Sequence, residues 1–357
     1  MGEEVTYAKS GVDIEEASKA KREILDLLAG TFRTREGKIG APLDLEGHYA
    51  GLIDLGDDRL LALHVDGVGT KVLVAQMMGK YDTVGIDVVA MCVNDLICVG
   101  AEPIALIDYL AVEKPDEEMS REIAKGLAEG ALMSDVAVVG GETAIMPDVI
   151  KGEIPGRGFD LAAMAVGVVD RDKLITGSKM REGDVIVGLR SSGIHSNGLT
   201  LARKILFDVG GLAVDDPMPG SEKSVGEELL EPTKIYTKPI LEVVNCTEVS
   251  ALANITGGAF TKFERFQRFS KVGFVLNEMP DPPEIFKTIQ RIGKVSDREM
   301  YKTFNMGIGF CIVCPPESKQ ETLKTLEDCS YEPQVIGEVT SKKGIRVRNP
   351  GRDWLVY

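Results

Sequence analysis

The sequence predicts a two-domain protein of the α/β or α+β class, and three observations support that prediction. Its 357 residues fit two domains and can enclose a sizeable core. Apolar runs of strand length alternate with stretches of helical periodicity. Residues 170–184 are charged, contain two glycines and lack sustained periodicity, which indicates a domain boundary. We therefore expect domains over residues 1–170 and 171–345, with a tail over residues 346–357.

The first half is predicted to contain three helices and four strands. An amphipathic helix is expected over residues 14–32, and a buried helix over residues 82–99 carries Asp87 and Asn94 on one face. The third helix is expected over residues 119–133. Short apolar runs predict strands at residues 60–65, 104–112, 136–139 and 161–169, with the run 136–139 buried.

The second half continues the same alternation to the end of the chain. A strand over residues 185–189 is followed by a helix over residues 199–207. Residues 210–226 are rich in Gly, Pro, Asp and Ser, which predicts a surface excursion. Cys311 and Cys314 lie in an apolar, strand-like run, where side chains three positions apart point to opposite faces. No second C-x-x-C pair completes a zinc site, so buried thiols are expected.

The charge balance excludes one class of function. A formal net charge of −15 repels polyanions, so no nucleic-acid partner is expected. No apolar run approaches the roughly 18 residues of a membrane span. Residues 1–9 are polar and acidic, unlike a signal peptide, so we expect a cytoplasmic protein without a membrane partner. Any phosphate site must be built locally from backbone N–H groups, a lysine and a divalent metal.

Glycine and acidic residues coincide at the ends of predicted elements, where α/β proteins collect ligands. The first such loop is DGVGTK, residues 66–71, directly after a strand. Its glycines allow close approach of the backbone, Asp66 is suited to a cation, and Lys71 is suited to phosphate. The spacing differs from that of a Walker A loop, so that mechanism does not apply. Taken alone, the loop favours a tight Asp-Gly turn with a solvated lysine.

Two further clusters carry acidic residues. Asn94-Asp95 lies in the apolar run VVAMCVNDLICV, where a charge is costly unless it is paired or binds metal. GGET, residues 140–143, follows a predicted strand, and its glycines are expected to form a turn. The alternatives are a polar pair that ends a helix and a helix cap formed by Thr143. Together, the three acids suffice for Mg²⁺ that also takes phosphate oxygens and water: Asp66, Asp95 and Glu142.

The loop SSGIHSNG, residues 191–198, directly precedes a predicted helix. Backbone N–H groups at a helix start attract anions, and the serine hydroxyls and His195 add further donors. The surrounding small polar residues favour ligand contact by His195 over a purely structural role. His48 and His64 have no such setting, and His64 is predicted to be packed within its strand.

Two loops in the second half have related compositions. Residues 254–259, NITGGA, again combine an amide, a hydroxyl and paired glycines. Residues 299–305, EMYKTFN, fit ligand contact and a polar strand entry with packed aromatic residues equally well.

In their order along the chain, these loops resemble the aminoimidazole ribonucleotide synthetases, also called phosphoribosylformylglycinamidine cyclo-ligases. VVAMCVNDL and SSGIHSNG are far more specific than any single glycine motif. The matching strings span roughly residues 7 to 309 and are YAKSGVDI (7–14), DGVGTK (66–71), DTVGIDVVAMCVNDL (82–96), GAEPIALIDYLA (100–111), GGETAIMP (140–147), FDLAAMAVGVV (159–169), SSGIHSNG (191–198), NITGGAF (254–260) and EMYKTFNMGIG (299–309).

The resemblance implies ATP-dependent cyclisation of formylglycinamidine ribonucleotide to 5-aminoimidazole ribonucleotide, with release of ADP and phosphate, in de novo purine biosynthesis. ATP would activate the formyl-amide oxygen as a phosphorylated imine, and an amidine nitrogen would close the ring. Such chemistry needs positioning and charge neutralisation rather than a side-chain nucleophile. The resemblance also implies Mg²⁺, a nucleotide in the interdomain cleft, and a homodimer whose amino-terminal mixed sheet pairs across the subunits beside a carboxy-terminal α/β domain.

The resemblance also implies roles for individual residues. The metal ligands would be Asp66, Asp95 and Glu142. ATP and its phosphates would be bound by Gly67, Gly69, Thr70, Lys71, Gly140 and Gly141. Substrate would be bound by Ser191, Ser192, His195, Asn197, Thr256 and Gly257. The catalytic group would comprise Lys71, Asn197, Asn254 and His195, the last as an acid or base.

The sequence departs from the family pattern in the amino-terminal lid and at one substrate contact. Asn254 and Ala259 replace the first His and last Gly of the usual HITGGG, and Asn254 cannot titrate as a general base. Ile145 replaces a Glu of GGETAEMP, which removes one carboxylate. Residues 47–51 replace a glycine-rich GGFGG, and Ala8 stands where Lys is usual, with Lys9 adjacent.

Related enzymes and a non-catalytic regulator are the alternatives. Selenophosphate synthetase needs a reactive cysteine in its amino-terminal loop, and none precedes Cys92. Formylglycinamidine ribonucleotide synthetase typically has a longer or duplicated chain. Thiamine-phosphate kinase and the hydrogenase-maturation relative lack SSGIHSNG combined with EMYKTFNMGIG. A nucleotide-binding regulator with this fold is free to lose its metal ligands, whereas the acids and His195 are all present here.

Overall fold

The computed structural model describes residues 23–45, 47–351 and 353–357, and it confirms the α/β class. Residues 23–29 are helical, while the motif YAKSGVDI and the first part of the helix predicted over residues 14–32 lie outside the described residues. Two mixed sheets, one in each half, organise the described chain. Within these ranges no helix is long and apolar enough to cross a membrane.

The first sheet has six strands in the order β1-β2-β3-β6-β4-β5, and only β4 and β5 pair in parallel. Its strands are β1 (Ala41–Pro42), β2 (Gly51–Gly56), β3 (Arg59–Gly67), β4 (Glu102–Val112), β5 (Ala137–Ile145) and β6 (Phe159–Asp170). The helices of this half are α1 (Lys71–Met78), α2 (Asp82–Ile97) and α3 (Glu117–Ser134). Helix α2 packs against β3, β4 and β6, and α3 packs against α2 and β5.

The second sheet has seven strands in the order β13-β12-β9-β11-β7-β10-β8. Its strands are β7 (Val185–Arg190), β8 (Ala251–Asn254), β9 (Gly273–Leu276), β10 (Ile308–Cys314), β11 (Pro333–Thr340), β12 (Gly344–Arg348) and β13 (Trp354–Val356). The segment predicted as a tail therefore supplies the end of β12 and all of β13. Both Cys311 and Cys314 are buried free thiols on β10, as expected.

Helices α4 to α9 surround the second sheet. They are α4 (Leu199–Arg203), which continues as a π-helical turn (Lys204–Val209), α5 (Val225–Leu229), α6 (Thr237–Cys246), α7 (Glu284–Gly293), α8 (Asp297–Thr303) and α9 (Lys319–Asp328). A 3-10 helical segment, Ala259–Arg268, follows β8.

Helix α2 is the centre of the first domain. All of its residues after Asp82 are buried, in agreement with the apolar run that predicted it. Its close contact with α3 depends on glycine, because a Cβ added at Gly126 would lie 1.7 Å from the Asp82 carbonyl oxygen. This packing leaves three polar residues of α2 directed away from α3: Asp87, Asn94 and Asp95.

The face of the first sheet opposite α2 exposes apolar side chains. Along β4 the exposed residues include Ile107 at 40% and Tyr109 at 39%, and Val65 on β3 is 67% exposed. The prediction that the run 136–139 is a buried strand is wrong in burial and length. It opens β5, an edge strand of nine residues, and Val139 is 67% exposed because none of the residues that the structure describes covers it.

Candidate functional site

A cavity of about 710 Å³ lies between the two domains, a size suited to a small-molecule ligand. Five of the predicted site residues line it: Asp66 and Asp95 from the first domain, and Asn197, Thr256 and Gly257 from the second. Residues that the sequence analysis did not assign to a site also line it, including His48, Tyr49, His64, Lys262 and Arg265.

An acidic cluster forms where β3 meets α2. His64 and Asp66 are two positions apart on β3, so their side chains lie on the same face. The His64 Nε2 atom lies 3.4 Å from Asp95 Oδ2 and 4.0 Å from Asp66 Oδ2. Asn254 at the end of β8 donates from Nδ2 to Asp95 Oδ1 at 2.6 Å, which joins this cluster to the second domain.

The charge of His64 depends on its two acidic neighbours. Burial by itself lowers the pKa of His64, but Asp66 and Asp95 outweigh burial and raise that pKa above its ordinary value. A protonated His64 offsets part of the negative charge that the two carboxylates bring to the cavity. The prediction that His64 is packed within its strand did not include these two carboxylate contacts.

The acidic cluster fits a metal that is shared with a ligand. Among the described residues, no three His, Cys, Asp or Glu side chains form a ready-made metal site. Asp66 and Asp95 nevertheless line one cavity, and the buried Oδ1 of Asn254 beside them has no hydrogen-bond partner in the described part of the chain. One or two carboxylates are what Mg²⁺ usually takes from a protein when phosphates and waters complete its shell.

A cationic wall faces the same cavity from the 3-10 segment. The Lys262 ammonium hydrogen-bonds with Thr256 Oγ1. Lys262 Nζ and Arg265 Cζ lie 5.4 and 4.7 Å from the centroid of the Tyr49 ring, within cation–π range. Next to them, burial lowers the pKa of His48 to about 4, so this imidazole is neutral near pH 7.

Asn197 and Gly257 meet at the edge of the cavity. A Cβ added at Gly257 would lie 2.8 Å from Asn197 Oδ1, so only glycine fits here without a shift of the amide. The two predicted substrate residues are thus neighbours. Their separate loops, NITGGA and SSGIHSNG, are brought together by the second domain.

The loop at residues 66–71 is not the tight turn that its composition favoured. It connects β3 to α1, and Lys71 is completely buried rather than solvated. The Lys71 Nζ atom lies 2.8 Å from Asp87 Oδ2 and donates to the Glu231 carbonyl oxygen at 2.6 Å. Gly67, Gly69, Thr70 and Lys71 are absent from the cavity lining. The structure therefore does not support the predicted phosphate contact of Lys71, because its ammonium forms a buried ion pair with Asp87.

Residues 231–236, which we call the clasp segment, connect the domains. Asp87 Oδ1 accepts from the Thr233 backbone N–H at 2.7 Å and from its hydroxyl at 2.6 Å. Asn94 lies about two turns after Asp87 on the same face of α2. It donates to the Lys234 carbonyl and accepts from the Tyr236 N–H, both at 2.9 Å. The predicted shared face of Asp87 and Asn94 is confirmed, and its function is domain attachment.

The SSGIHSNG loop is held by the clasp segment and by Asn305. Asn305 donates to the carbonyl oxygens of Gly193 and Ile194 at 2.9 and 3.2 Å, and Ser191 Oγ donates to Asn305 Oδ1 at 3.0 Å. Ser192 Oγ donates to the Pro232 carbonyl at 2.5 Å. Ser191 and Ser192 are thus engaged within the protein and do not line the cavity.

His195 lies beneath this loop as a buried, neutral imidazole. Its Nε2 accepts from the backbone N–H groups of Ser192 and Lys234, at 3.3 and 3.5 Å. Burial first, and then the positive charges of Lys71 and Lys234, lower the pKa of His195 to about 3. The structure therefore does not support the predicted acid or base role, since the imidazole is removed from the cavity and resists protonation.

The third predicted acidic cluster lies elsewhere. Gly140 and Gly141 are inside β5 rather than in a turn, and Glu142 is paired with Tyr109 on the face of the sheet opposite α2. None of the three lines the cavity. The predicted helix cap and the predicted triad of acids are therefore not assembled by a single chain.

The cavity residues that the sequence did not predict differ in how strong a sequence signal they carry. His64 was accessible to sequence reasoning, because a two-residue spacing on a strand places it beside Asp66. Lys262 and Arg265 carried no comparable signal. Their spacing of three residues after a glycine-rich loop also fits a solvated helix face.

Family models match both halves of the chain. The description "AIR synthase related protein, N-terminal domain" matches residues 47–169, and "AIR synthase related protein, C-terminal domain" matches residues 181–349. The chain belongs to the AIR synthase related family.

Within that family, the similarity extends to nearly the whole length of named enzymes. The chain is 51% identical over 347 residues to phosphoribosylformylglycinamidine cyclo-ligase of Thermococcus kodakarensis, covering 97% of this chain and 99% of the relative. It is 49% identical over 339 residues to the enzyme of that name in Methanothermobacter thermautotrophicus, covering 95% of each. The family, enzyme class and reaction class expected from the motifs are thereby confirmed.

Solved structures of lower identity share the fold. Thiamine-monophosphate kinase from Stenotrophomonas maltophilia is 17% identical with a TM-score of 0.61, over 90% of this chain and 95% of the other. The Escherichia coli hydrogenase maturation protein HypE is 16% identical with a TM-score of 0.60, over 83% and 85%. Thermotoga maritima PurL complexed with ADP is 18% identical with a TM-score of 0.56, over 84% of this chain and 43% of the other.

The buried pair of Lys71 and Asp87 predicts a large stability effect. Lys71→Met should lower the free energy of unfolding by about 3–5 kcal/mol, because it leaves Asp87 buried without its counterion. The double variant Lys71→Met/Asp87→Asn should recover part of that loss. Urea unfolding measures both, and Lys287→Met at the exposed pair with Asp281 is the control. A Lys71→Met protein as stable as the wild type would contradict the inference that Lys71 stabilises the buried carboxylate of Asp87.

His195 predicts a pH dependence of stability. Because its folded pKa, about 3, lies below the ordinary 6.5, only the unfolded chain binds the proton, and stability falls as pH decreases through that range. Between pH 7.5 and 5.5 this loss amounts to about 1.4 kcal/mol for one histidine. His195→Asn, which tolerates the left-handed backbone at this position (φ 65°), should reduce the difference by that amount. Urea unfolding at both pH values is the measurement, and an unchanged difference would show that His195 titrates when folded.

Proposed function

We propose that this chain converts formylglycinamidine ribonucleotide to 5-aminoimidazole ribonucleotide at the interdomain cavity, with ATP as the activating substrate. One observation supports this assignment above the others. Asp66 and Asp95 of the first domain face Asn197, Thr256 and Gly257 of the second across one cavity, in a chain about half identical to named cyclo-ligases. The cavity combines acids, amides and cations, which suits a phosphorylated ligand with a metal.

The proposed reaction has two steps. The γ-phosphoryl group moves from ATP to the formyl-amide oxygen, which breaks the bond to ADP, and the amide nitrogen loses its proton to give a phosphorylated imine. An amidine nitrogen then forms a bond to that carbon, the carbon–oxygen bond to phosphate breaks, and the nitrogen loses a proton. Both steps depend on alignment and on neutralising phosphate charge, and neither requires a side-chain nucleophile.

The proposed roles follow the positions of the side chains. Asp66 and Asp95 would hold Mg²⁺, which neutralises phosphate charge when bound. Asn197 and Thr256 would orient the substrate, and Gly257 would let it approach the backbone. Asn254 would hold Asp95 in place through its 2.6 Å hydrogen bond. Lys71 and His195 would position the clasp segment and the SSGIHSNG loop rather than touch the reacting atoms.

A homodimer is part of the proposal. The outer face of an antiparallel sheet in contact with water is normally polar. Here alternate residues on β6 facing that side are Ala162, Met164, Val166 and Val168, and they adjoin Ile107 and Tyr109 of β4. A contiguous apolar face of this kind favours cover by another chain. Glu142 lies on the same face and does not line the cavity, so its role as a metal ligand stays a prediction. The cytoplasmic location and the lack of a nucleic-acid partner also stay predictions.

Substrate-dependent ADP release tests the reaction. With ATP and Mg²⁺, release of ADP should require formylglycinamidine ribonucleotide, and Asp95→Asn should lower turnover by about 100-fold or more at limiting Mg²⁺. Its unfolding free energy should stay within about 1 kcal/mol of the wild type, since the shape is unchanged. Asp281→Asn, at an exposed ion pair, is the matched control. ADP release that ignores the substrate would instead favour a nucleotide-binding regulator or another ATPase.

The dimer is tested by mass in solution. Sedimentation should give twice the chain mass of 38.6 kDa, and Ile107→Asp should shift the protein towards the monomer by burying a charge in the contact. Val209→Asp, at a 50% exposed valine in the second domain, should leave the mass unchanged. A wild-type monomer at micromolar concentration would refute this part of the proposal.

A further inference from the structure

Lys262 has an unusual position for a lysine. Only 8% of its surface is exposed, yet it lines the cavity. Among the residues that the structure describes, its ammonium has one hydrogen-bond partner, Thr256 Oγ1, and no carboxylate within 4.0 Å. An ammonium carries three N–H donors, so two remain for a ligand in the cavity.

The surrounding residues orient this charge. Thr256 lies in the NITGGA loop and fixes the ammonium from one side. The Tyr49 ring lies within cation–π range of both Lys262 and Arg265. The buried Tyr49 hydroxyl has no hydrogen-bond partner within the described ranges. Arg265 donates from Nη1 to the His48 carbonyl oxygen at 3.5 Å. Lys262 and Arg265 thus each have one protein acceptor, and their other N–H groups are further donors on this wall of the cavity.

The charges on the two sides of the cavity are opposite. Asp66 and Asp95 on β3 and α2 are suited to a metal, whereas Lys262 and Arg265 on the 3-10 segment repel one. A buried ammonium without a counterion is costly, and an anion in the cavity would offset that cost. Burial also lowers the pKa of Lys262, while Asp95 and Asp66 act in the opposite direction. A ligand that contacts both walls must carry negative charge where it faces Lys262 and Arg265. Where it faces Asp66 and Asp95, it must be bound to a cation.

We propose that Lys262, assisted by Arg265, binds the oxygens of a phosphoryl group in the cavity opposite Asp66 and Asp95. This assignment rests on the proposed function for the identity of the ligand, either the γ-phosphoryl group of ATP or the ribose phosphate of the substrate. At the γ-phosphoryl group, the ammonium would neutralise charge on the oxygens that are transferred. Lys262 would then be a catalytic residue that complements the metal.

Nucleotide binding tests Lys262 without turnover. Titration calorimetry with β,γ-methylene ATP, ADP and formylglycinamidine ribonucleotide compares the wild type with Lys262→Met and Lys262→Arg. If the γ-phosphoryl group is the ligand, Lys262→Met should lower the affinity for β,γ-methylene ATP by about 10- to 100-fold and the affinity for ADP by less than about twofold. If the ribose phosphate is the ligand, the same loss should appear for formylglycinamidine ribonucleotide alone. Lys262→Arg should retain most of the affinity in either case.

Stability separates this role from a structural one. Urea unfolding of Lys262→Met should show equal or greater stability than the wild type, because the variant removes a buried charge that lacks a protein counterion. Lys287→Met, at an exposed ion pair, should change neither affinity nor stability. A destabilised Lys262→Met protein with unchanged affinity for all three ligands would overturn the proposal. Failure of substrate-dependent ADP release in the wild type would refute the proposed reaction but leave these affinities informative.

Discussion

The buried carboxylate of Asp87 is the constraint on which the arrangement of the two domains depends. An ionised group at 0% exposure is tolerated only when its charge and its lone pairs are satisfied. Lys71 supplies the charge, and Thr233 of the second domain supplies two hydrogen bonds at 2.6 and 2.7 Å. Lys71 belongs to the first domain and Thr233 to the second, so separating the domains would leave the Lys71–Asp87 pair without the two hydrogen bonds from Thr233.

The same network explains the position of the candidate site. Asp87 and Asn94 attach one face of α2 to the clasp segment, and the next residue, Asp95, is rotated by about 100° towards the cavity. The clasp segment in turn holds Ser192 and His195, which belong to the same loop as Asn197. Motif residues therefore divide into two groups, those that hold the domains together and those that line the cavity.

Sequence reasoning succeeded where a local pattern determines local structure. Short apolar runs placed β3, β4, β6 and β7 close to their observed bounds, and the apolar run of α2 correctly predicted a buried helix. It failed for β5, because an apolar run does not say whether the covering surface belongs to the same chain. It also misjudged Lys71, since a lysine after glycines has the same local signature whether it is solvated or paired with a residue 16 positions away.

The sequence by itself determined the fold class and the family, because these depend on periodicity and on long, specific strings. It also singled out Asp66 and Asp95, which both line the cavity. Only the tertiary structure decided which motif residues share the cavity. Proximity between Asp95 and Asn254, 159 positions apart, follows from domain packing and not from spacing. The family resemblance implied a phosphate contact for the loop at residues 66–71, yet Asp66 alone of that loop lines the cavity. Lys71 faces Asp87 instead, because burial of one charge required the other.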